Sequence, residues 1–317
     1  MTNPTLPAAA ARLTEATSVA MAEAIQTTAI QTSLAENPIP TAYALAGSGE
    51  DPILLIHGFD SSQLEFRRLW PRLAQRHQTW AVDLLGFGFS DRTHCPQLSP
   101  GAIKQHLYAF WQQMIRRPMV LVGASMGGAA AIDFALTYPE AVASLVLIDS
   151  AGFAAGPAMG NLMVPPLDSL ATGFLRNAWV RRSISKSAYF DQALVTPDAE
   201  LCAALHLDCP RWKEALIAFT KSGGYNFLND KIASLTQPTL VVWGKQDRIL
   251  GLRDADRFQQ AIPHSHLVWI DACGHVPHLE KPQDTAEAIQ TFLARLCPTR
   301  VSGNHGLLSS VDPLQSF

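Results

Sequence analysis

Short, nearly continuous apolar runs recur along the chain at 52–56, 80–82, 119–122, 145–148, 240–243 and 267–270. Polarity hardly alternates within them, as in strands covered on both faces by flanking layers. Between the runs, apolar positions at 62–76, 102–115, 126–137, 254–261 and 282–296 fall at helical spacing. This alternation predicts an α/β fold with a mainly parallel, doubly wound sheet. After Asn37-Pro38, residues 39–46 read as a further strand. Residues 8–27 are rich in Ala, with Leu13, Ala16, Ala20 and Ala24 at helical spacing, and read as one helix.

The rhythm breaks between Ser150 and Pro238, where helical patterns at 170–179 and 212–219 occur without a convincing buried strand. A crossover between parallel strands needs far fewer residues. The chain therefore divides into an N-terminal helix and lead-in (1–37), a core in two pieces (38–150 and 237–296), an inserted helical cap (151–236) and a loosely attached tail (297–317).

Composition removes several classes. With 317 residues, 48% of them hydrophobic and 16% charged, the chain can bury a large core and is not disordered over most of its length. A net charge of -3 argues against a nucleic-acid surface or a polybasic membrane anchor. No uncharged apolar run reaches the roughly 18 residues of an integral membrane segment. The five cysteines (Cys95, Cys202, Cys209, Cys273, Cys297) lack paired spacing, which favours a reducing compartment over disulfides or a zinc ribbon. The N-terminus lacks the basic head and apolar core of a secretory signal. Residues 1–37 set Glu15, Glu23 and Glu36 against Arg12 alone, unlike a transit peptide. A cytoplasmic location is expected, and both monomer and homodimer remain open.

Chemistry concentrates at Gly123-Ala124-Ser125-Met126-Gly127, which follows an apolar run and opens a helix of small residues. G-x-S-x-G between strand and helix is the nucleophile elbow, where a strained turn lifts the serine hydroxyl above the sheet. Such a hydroxyl needs a base. The apolar run ending in Trp243-Gly244-Lys245-Gln246-Asp247 supplies an acid, and the run leading to Gly274-His275 supplies an imidazole. The order Ser125, Asp247, His275 differs from those of trypsin and subtilisin. Asp149, just after the run at 145–148, is a rival acid. The oxyanion donors expected are the Phe59 and Met126 amides, with Gly58 permitting close approach and His57 organising the loop. Gly123 and Gly127 complete the support of the serine.

Other motifs add little. His264 with His266, and His275 with His278, lack acidic or thiolate partners, so no metal is expected. Gly86-Phe87-Gly88-Phe89 lacks the remainder of any nucleotide fingerprint. Arg181, Arg182 and Lys186 read as a solvated helix face.

Five ordered pieces over residues 52–296 make the chain resemble a capped α/β-hydrolase-fold serine hydrolase of the esterase and C–C-hydrolase kind. They are His57-Gly58-Phe59, the stretch from Asp83 to Arg92, the elbow, Trp243–Asp247 as numbered above, and the stretch from Gly274 to Pro282. The pieces His57-Gly58-Phe59-Asp60-Ser61-Ser62 and Thr79-Trp80-Ala81-Val82-Asp83 also resemble uncharacterised hydrolases of cyanobacteria and chloroplasts. Ser125, where relatives such as dehalogenases and epoxide hydrolases carry Asp, argues against both of those activities.

The resemblance implies cofactor-free hydrolysis of an ester-type acyl bond in a small or medium hydrophobic substrate. C–C or thioester hydrolysis on the same triad, and a small-molecule receptor that keeps the triad, are the alternatives. The cap's aromatic residues, Phe174, Trp179 and Tyr189 among them, predict an apolar pocket partly roofed by rings.

Overall fold

The computed structural model describes residues 6–93, 98–153 and 164–296. One sheet contains β1 (Ile25–Ile30), β2 (Ile39–Ala46), β3 (Ile53–Ile56), β4 (Thr79–Val82), β5 (Met119–Ala124), β6 (Val142–Ile148), β7 (Thr239–Gly244) and β8 (Ser265–Ile270). Their spatial order is β1-β2-β4-β3-β5-β6-β7-β8. β2 is antiparallel to both of its neighbours, and all other pairs are parallel. The α/β class predicted by the strand–helix alternation is therefore the observed one.

The continuous apolar runs have a simple cause. Leu54 and Ile56 of β3 join the core that holds Phe110 and Phe134, whereas Ile53 and Leu55 join the opposite core with Leu73 and Phe292. A strand with a core on each face needs apolar residues at every position. The edge strand β8 departs from this, because four of its first five residues are half-buried and His266 is exposed.

Flanking helices include α1 (Ala16–Ala24), α2 (Trp70–Leu73), α3 (Pro100–Phe110) and α4 (Met126–Thr137). Between β6 and β7 lie α5 (Leu167–Arg176), α6 (Ala178–Ala188), α7 (Pro197–Ala204) and α8 (Trp212–Lys221), with no strand among the described residues. They are followed by α9 (Arg253–Ala261), α10 (Pro277–Glu280) and α11 (Pro282–Leu296).

Three local expectations need correction. Residues 8–27 are not one helix: a 3₁₀ turn (Ala8–Arg12) precedes α1, and the chain is already in β1 at Ile25. Pairing of Ile25–Ile30 with β2 overrides the Ala-rich helical pattern, so the sheet starts well before residue 38. Residues 62–76 form a 3₁₀ turn (Gln63–Phe66) and the short α2 rather than one helix. The pattern at 170–179 breaks at Asn177, whose side chain accepts from the Trp179 N–H at 2.9 Å and caps α6. Cys95, Cys297 and the tail lie outside the described residues, and Cys202, Cys209 and Cys273 are free thiols.

Candidate active site

Ser125 sits between β5 and α4 at φ 52° and ψ -120°, a strained conformation for a residue with a side chain. Backbone bonds fix it there. Its N–H donates to the Ile148 carbonyl at 3.0 Å, and its carbonyl accepts from Gly128 and Ala151, also at 3.0 Å. The glycines beside it are steric requirements. A Cβ at Gly123 would lie 2.3 Å from the Gly127 oxygen, and one at Gly127 would lie 2.2 Å from the Ile56 oxygen. The β5–α4 turn thus packs directly on the end of β3, and Met126, as the first helical residue, has no intrahelical acceptor for its N–H.

His275 follows β8 and is buried. Its Nδ1 lies 2.9 Å from Asp247 Oδ2, while its N–H donates to the Ala188 carbonyl of α6 at 2.7 Å. Asp247 also accepts from the Ile249 and Leu250 N–H groups at 2.7 and 3.1 Å. Burial alone would raise the Asp247 pKa, but the hydrogen bond and charge of His275, with the Ile249 N–H, outweigh it and leave the carboxyl lowered. Asp149, at φ 38°, accepts from the Gly244 N–H at 3.2 Å. Burial and then the neighbouring Asp247 charge push its pKa well above the usual carboxylate range. Donor atoms of Asp149, Asp247 and His275 lie within 4.8 Å of one another. Both acids thus reach the histidine loop. Asp247 holds Nδ1, and Asp149, its carboxyl pushed up by burial, lies close to both.

The loop after β3 completes this side. His57 is fully buried, with Nδ1 2.8 Å from the Gly58 carbonyl and Nε2 accepting from the Leu84 N–H at 3.2 Å. Both ring nitrogens are occupied in loop geometry. A Cβ on Gly58 would lie 3.3 Å from Ser125 Cβ, so this strand end faces the serine. Glu65 accepts from the Gly58 N–H at 3.2 Å. Burial would raise the Glu65 pKa, but His278, at 3.1 Å, together with His57 and Ser61 brings it down to about 2.

Ser125, His275, Phe59 and Gly58 line one cavity of about 310 Å³. Its far wall comes from the helices between β6 and β7: Leu175, Ile184, Ala188, Tyr189 and Ala199. The lining is mostly apolar, as the sequence leads one to expect, but the rings are largely elsewhere. Tyr189 lines the cavity, whereas Phe174 and Trp179 are exposed, Trp179 to 75%.

Arg181 is likewise no solvated residue. Its Nη1 lies 2.8 Å from Asp60 Oδ2, next to Phe59, while Trp212 Nε1 donates to Asp60 Oδ1 at 2.7 Å and His206 Nε2 lies 3.1 Å from the same oxygen. Arg182, paired with Glu200 at 3.0 Å, does lie on an exposed face.

Sequence reasoning did not single out Asp60, Glu65 or Glu280. Glu280 accepts from the Gly274 N–H at 2.8 Å and the Phe190 N–H at 3.1 Å, joining the His275 loop to the helical wall. Asp60 and Glu280 sit inside the quoted motifs; Asp60 stood out as an acid between Phe59 and two serines, whereas Glu280, flanked by Leu279 and Lys281, carried no local signal.

With this geometry in hand, comparison with known proteins is specific. Residues 53–288 match the model of the alpha/beta hydrolase family. The chain is 34% identical over 247 residues to the alpha/beta hydrolase domain-containing protein VTE7 of Arabidopsis thaliana, covering 77% of this chain and 74% of that one. It is 28% identical over 266 residues to a 2-hydroxy-6-oxo-6-(2'-aminophenyl)hexa-2,4-dienoic acid hydrolase of Metapseudomonas resinovorans, covering 81% and 88%. A solved serine hydrolase involved in carbazole degradation superposes with a TM-score of 0.72 at 25% identity, covering 86% of this chain and all of that one. Fold, motifs and relatives agree, and the chain belongs to the alpha/beta hydrolase family.

Proposed function

We propose that the chain is a serine hydrolase that cleaves an ester-type acyl bond of a small or medium hydrophobic substrate without a cofactor. The observation that carries this reading is the strained Ser125, which opens onto the same cavity as a histidine whose Nδ1 is held by Asp247. In the proposed cycle Ser125 Oγ attacks the acyl carbon and its proton passes to His275 Nε2. The oxyanion is met by the Phe59 and Met126 N–H groups. Collapse expels the alcohol, which takes the proton from His275, and water repeats the sequence to release the acid and restore Ser125. Asp247 fixes the imidazole tautomer and stabilises the imidazolium.

The helices α5 to α8 act as a cap over the sheet, and the cavity beneath them is the acyl or alcohol pocket. Its mostly apolar surface supports a substrate that buries apolar area, each methylene favouring binding by about 0.8 kcal/mol.

C–C bond hydrolysis on the same residues is the second reading, supported by the likeness to the dienoic acid hydrolase. The test is steady-state turnover of p-nitrophenyl esters beside a vinylogous diketone. Repeated ester turnover that falls by about three or more decades in Ser125→Ala supports the proposal. Binding with no second turnover on any substrate would point to a receptor, and turnover of the diketone alone to the second reading.

A further inference from the structure

Helix α5 is turned inside out. Its polar residues Asp168 and Thr172 are 7% and 1% exposed, while Leu170 and Phe174 on the opposite face are 65% and 62% exposed. Leu167, also exposed, extends the same stripe, because positions 167, 170 and 174 share one helical face. After the Asn177 cap, Trp179 stands out at the start of α6, which packs on α5. A helix that only covers a core buries its apolar face and exposes its polar one. The reverse arrangement marks a surface that meets something apolar.

The charges around this face say what it meets. The chain as a whole is acidic, with a net charge of -3, yet every exposed charged residue from 164 to 190 is basic: Arg176, Arg182 and Lys186. Arg176 pairs with Asp208, and Arg182 with Glu200. Lys186 has no ion-pair partner among the described residues. Neither has Lys213 of α8, whose Nζ donates to Ser169 Oγ, beside Leu170, at 2.8 Å. A second copy of the chain would set one basic face against another, whereas an anionic surface complements it. Leucine, phenylalanine and an exposed tryptophan edged by lysines are the residues that settle at a headgroup boundary. The face also adjoins the mouth of the cavity. Leu175 of α5 and Ile184 of α6 line that cavity, and Phe59, Ile184 and Ile249 line it while remaining exposed, so its rim is apolar.

Resting on the hydrolase reading above, we propose that α5 and the start of α6 dock on an anionic lipid bilayer. Leu167, Leu170, Phe174 and Trp179 enter the boundary between headgroups and acyl chains, and Lys186 and Lys213 meet the lipid phosphates. The docking is peripheral, since no described helix is long and apolar enough to cross a membrane. The substrate class follows from it: a lipophilic ester resident in the bilayer, which reaches Ser125 through the apolar rim.

The experiment is flotation of the native protein with vesicles of phosphatidylcholine and phosphatidylglycerol in equal parts, beside phosphatidylcholine alone. We expect binding to the mixed vesicles, weaker by about tenfold or more on phosphatidylcholine alone or in high salt. Leu170→Ser, Phe174→Ser and Trp179→Ser combined should lower binding by about tenfold or more. None of the three lines the cavity, so turnover of a soluble p-nitrophenyl ester should stay as in the native protein, while turnover of a long-chain ester carried in the vesicles falls. Lys186→Glu with Lys213→Glu should abolish the preference for the anionic vesicles.

Failure of the native protein to float with mixed vesicles would overturn the proposal. So would equal binding to both vesicle types, or binding that survives in the triple variant. Self-association that the triple variant loses, without vesicle binding, would give the face to a second copy instead. Vesicle binding is read without turnover, so binding with no hydrolysis of any ester would count against the hydrolase reading and not against the docking face.

Discussion

On the sheet side of the cavity, Ser125 is held by backbone alone: three hydrogen bonds from its own peptide groups at 3.0 Å, and glycines packed where any side chain would strike a carbonyl. On the helical side the wall hangs on a few buried carboxylates. Asp60 gathers Arg181, His206 and Trp212, Glu280 gathers the Phe190, Asp191 and Gly274 N–H groups, and Asp198 gathers Ser18 and the start of α1. The serine's wall is thus determined by sheet packing, which resists any change of volume. The opposite wall is pinned at discrete polar points, so α5 to α8 can differ in shape while the reacting geometry stays fixed.

Substitutions that strike one wall or the other test the contrast. The largest effect should be on chemistry: Asp247→Asn leaves both walls in place but loses the carboxylate that holds His275 Nδ1, and kcat should fall by about four decades while the protein still folds. A loss below tenfold would transfer the orienting role to Asp149. Asp60→Ala removes the acceptor that His206 and Trp212 share and the counter-charge of Arg181, and should cost about 3–5 kcal/mol. Limited proteolysis should then cut within 164–222 before the sheet unfolds. Gly127→Ala strikes the sheet wall instead, and overpacking against Ile56 should cost about 3 kcal/mol in one cooperative transition, with no selective proteolysis.

Two smaller effects depend on pH. Glu65 has a folded pKa of about 2, below its ordinary 4.5, so its stabilisation is complete above pH 4.5 and is lost as pH falls towards 2. Unfolding free energies in Glu65→Gln should therefore lose part of their slope across that window. Asp149 has the opposite sign. Its folded pKa is raised, so it favours folding below the ordinary carboxylate range and opposes it as pH rises above that range. Asp149→Asn keeps a donor towards Asp247, so at pH 8 it should melt at the same temperature or higher, with kcat changed by less than about tenfold. A lower melting temperature would show that Asp149 is ionised in the folded protein.

The same contrast sets what could be read from the sequence. The strands at the sheet centre, α4, α11 and the serine turn were legible, because burial on two faces leaves continuous apolar runs and a strained turn demands glycines. Asp247 and His275 could be placed because each ends such a run. The strand at Ile25–Ile30 was missed because its alternation is weak and an Ala-rich helix precedes it. Asp60, Glu65 and Glu280 were missed for a different reason. Most of their partners are 89 to 213 positions away, the rest lie in irregular loops, and a single buried carboxylate has no local period. The cap's rings misled because helical spacing does not tell which face of a helix meets the cavity and which meets solvent.

The central claim is that Ser125 is the covalent centre. It is tested most directly by labelling the native protein with an alkyl fluorophosphonate and mapping the adduct by peptide mass spectrometry, beside Ser125→Ala. We expect one adduct per chain, on the peptide that contains Ser125, and none in the folded variant. An adduct at another residue, or undiminished labelling of Ser125→Ala, would contradict it.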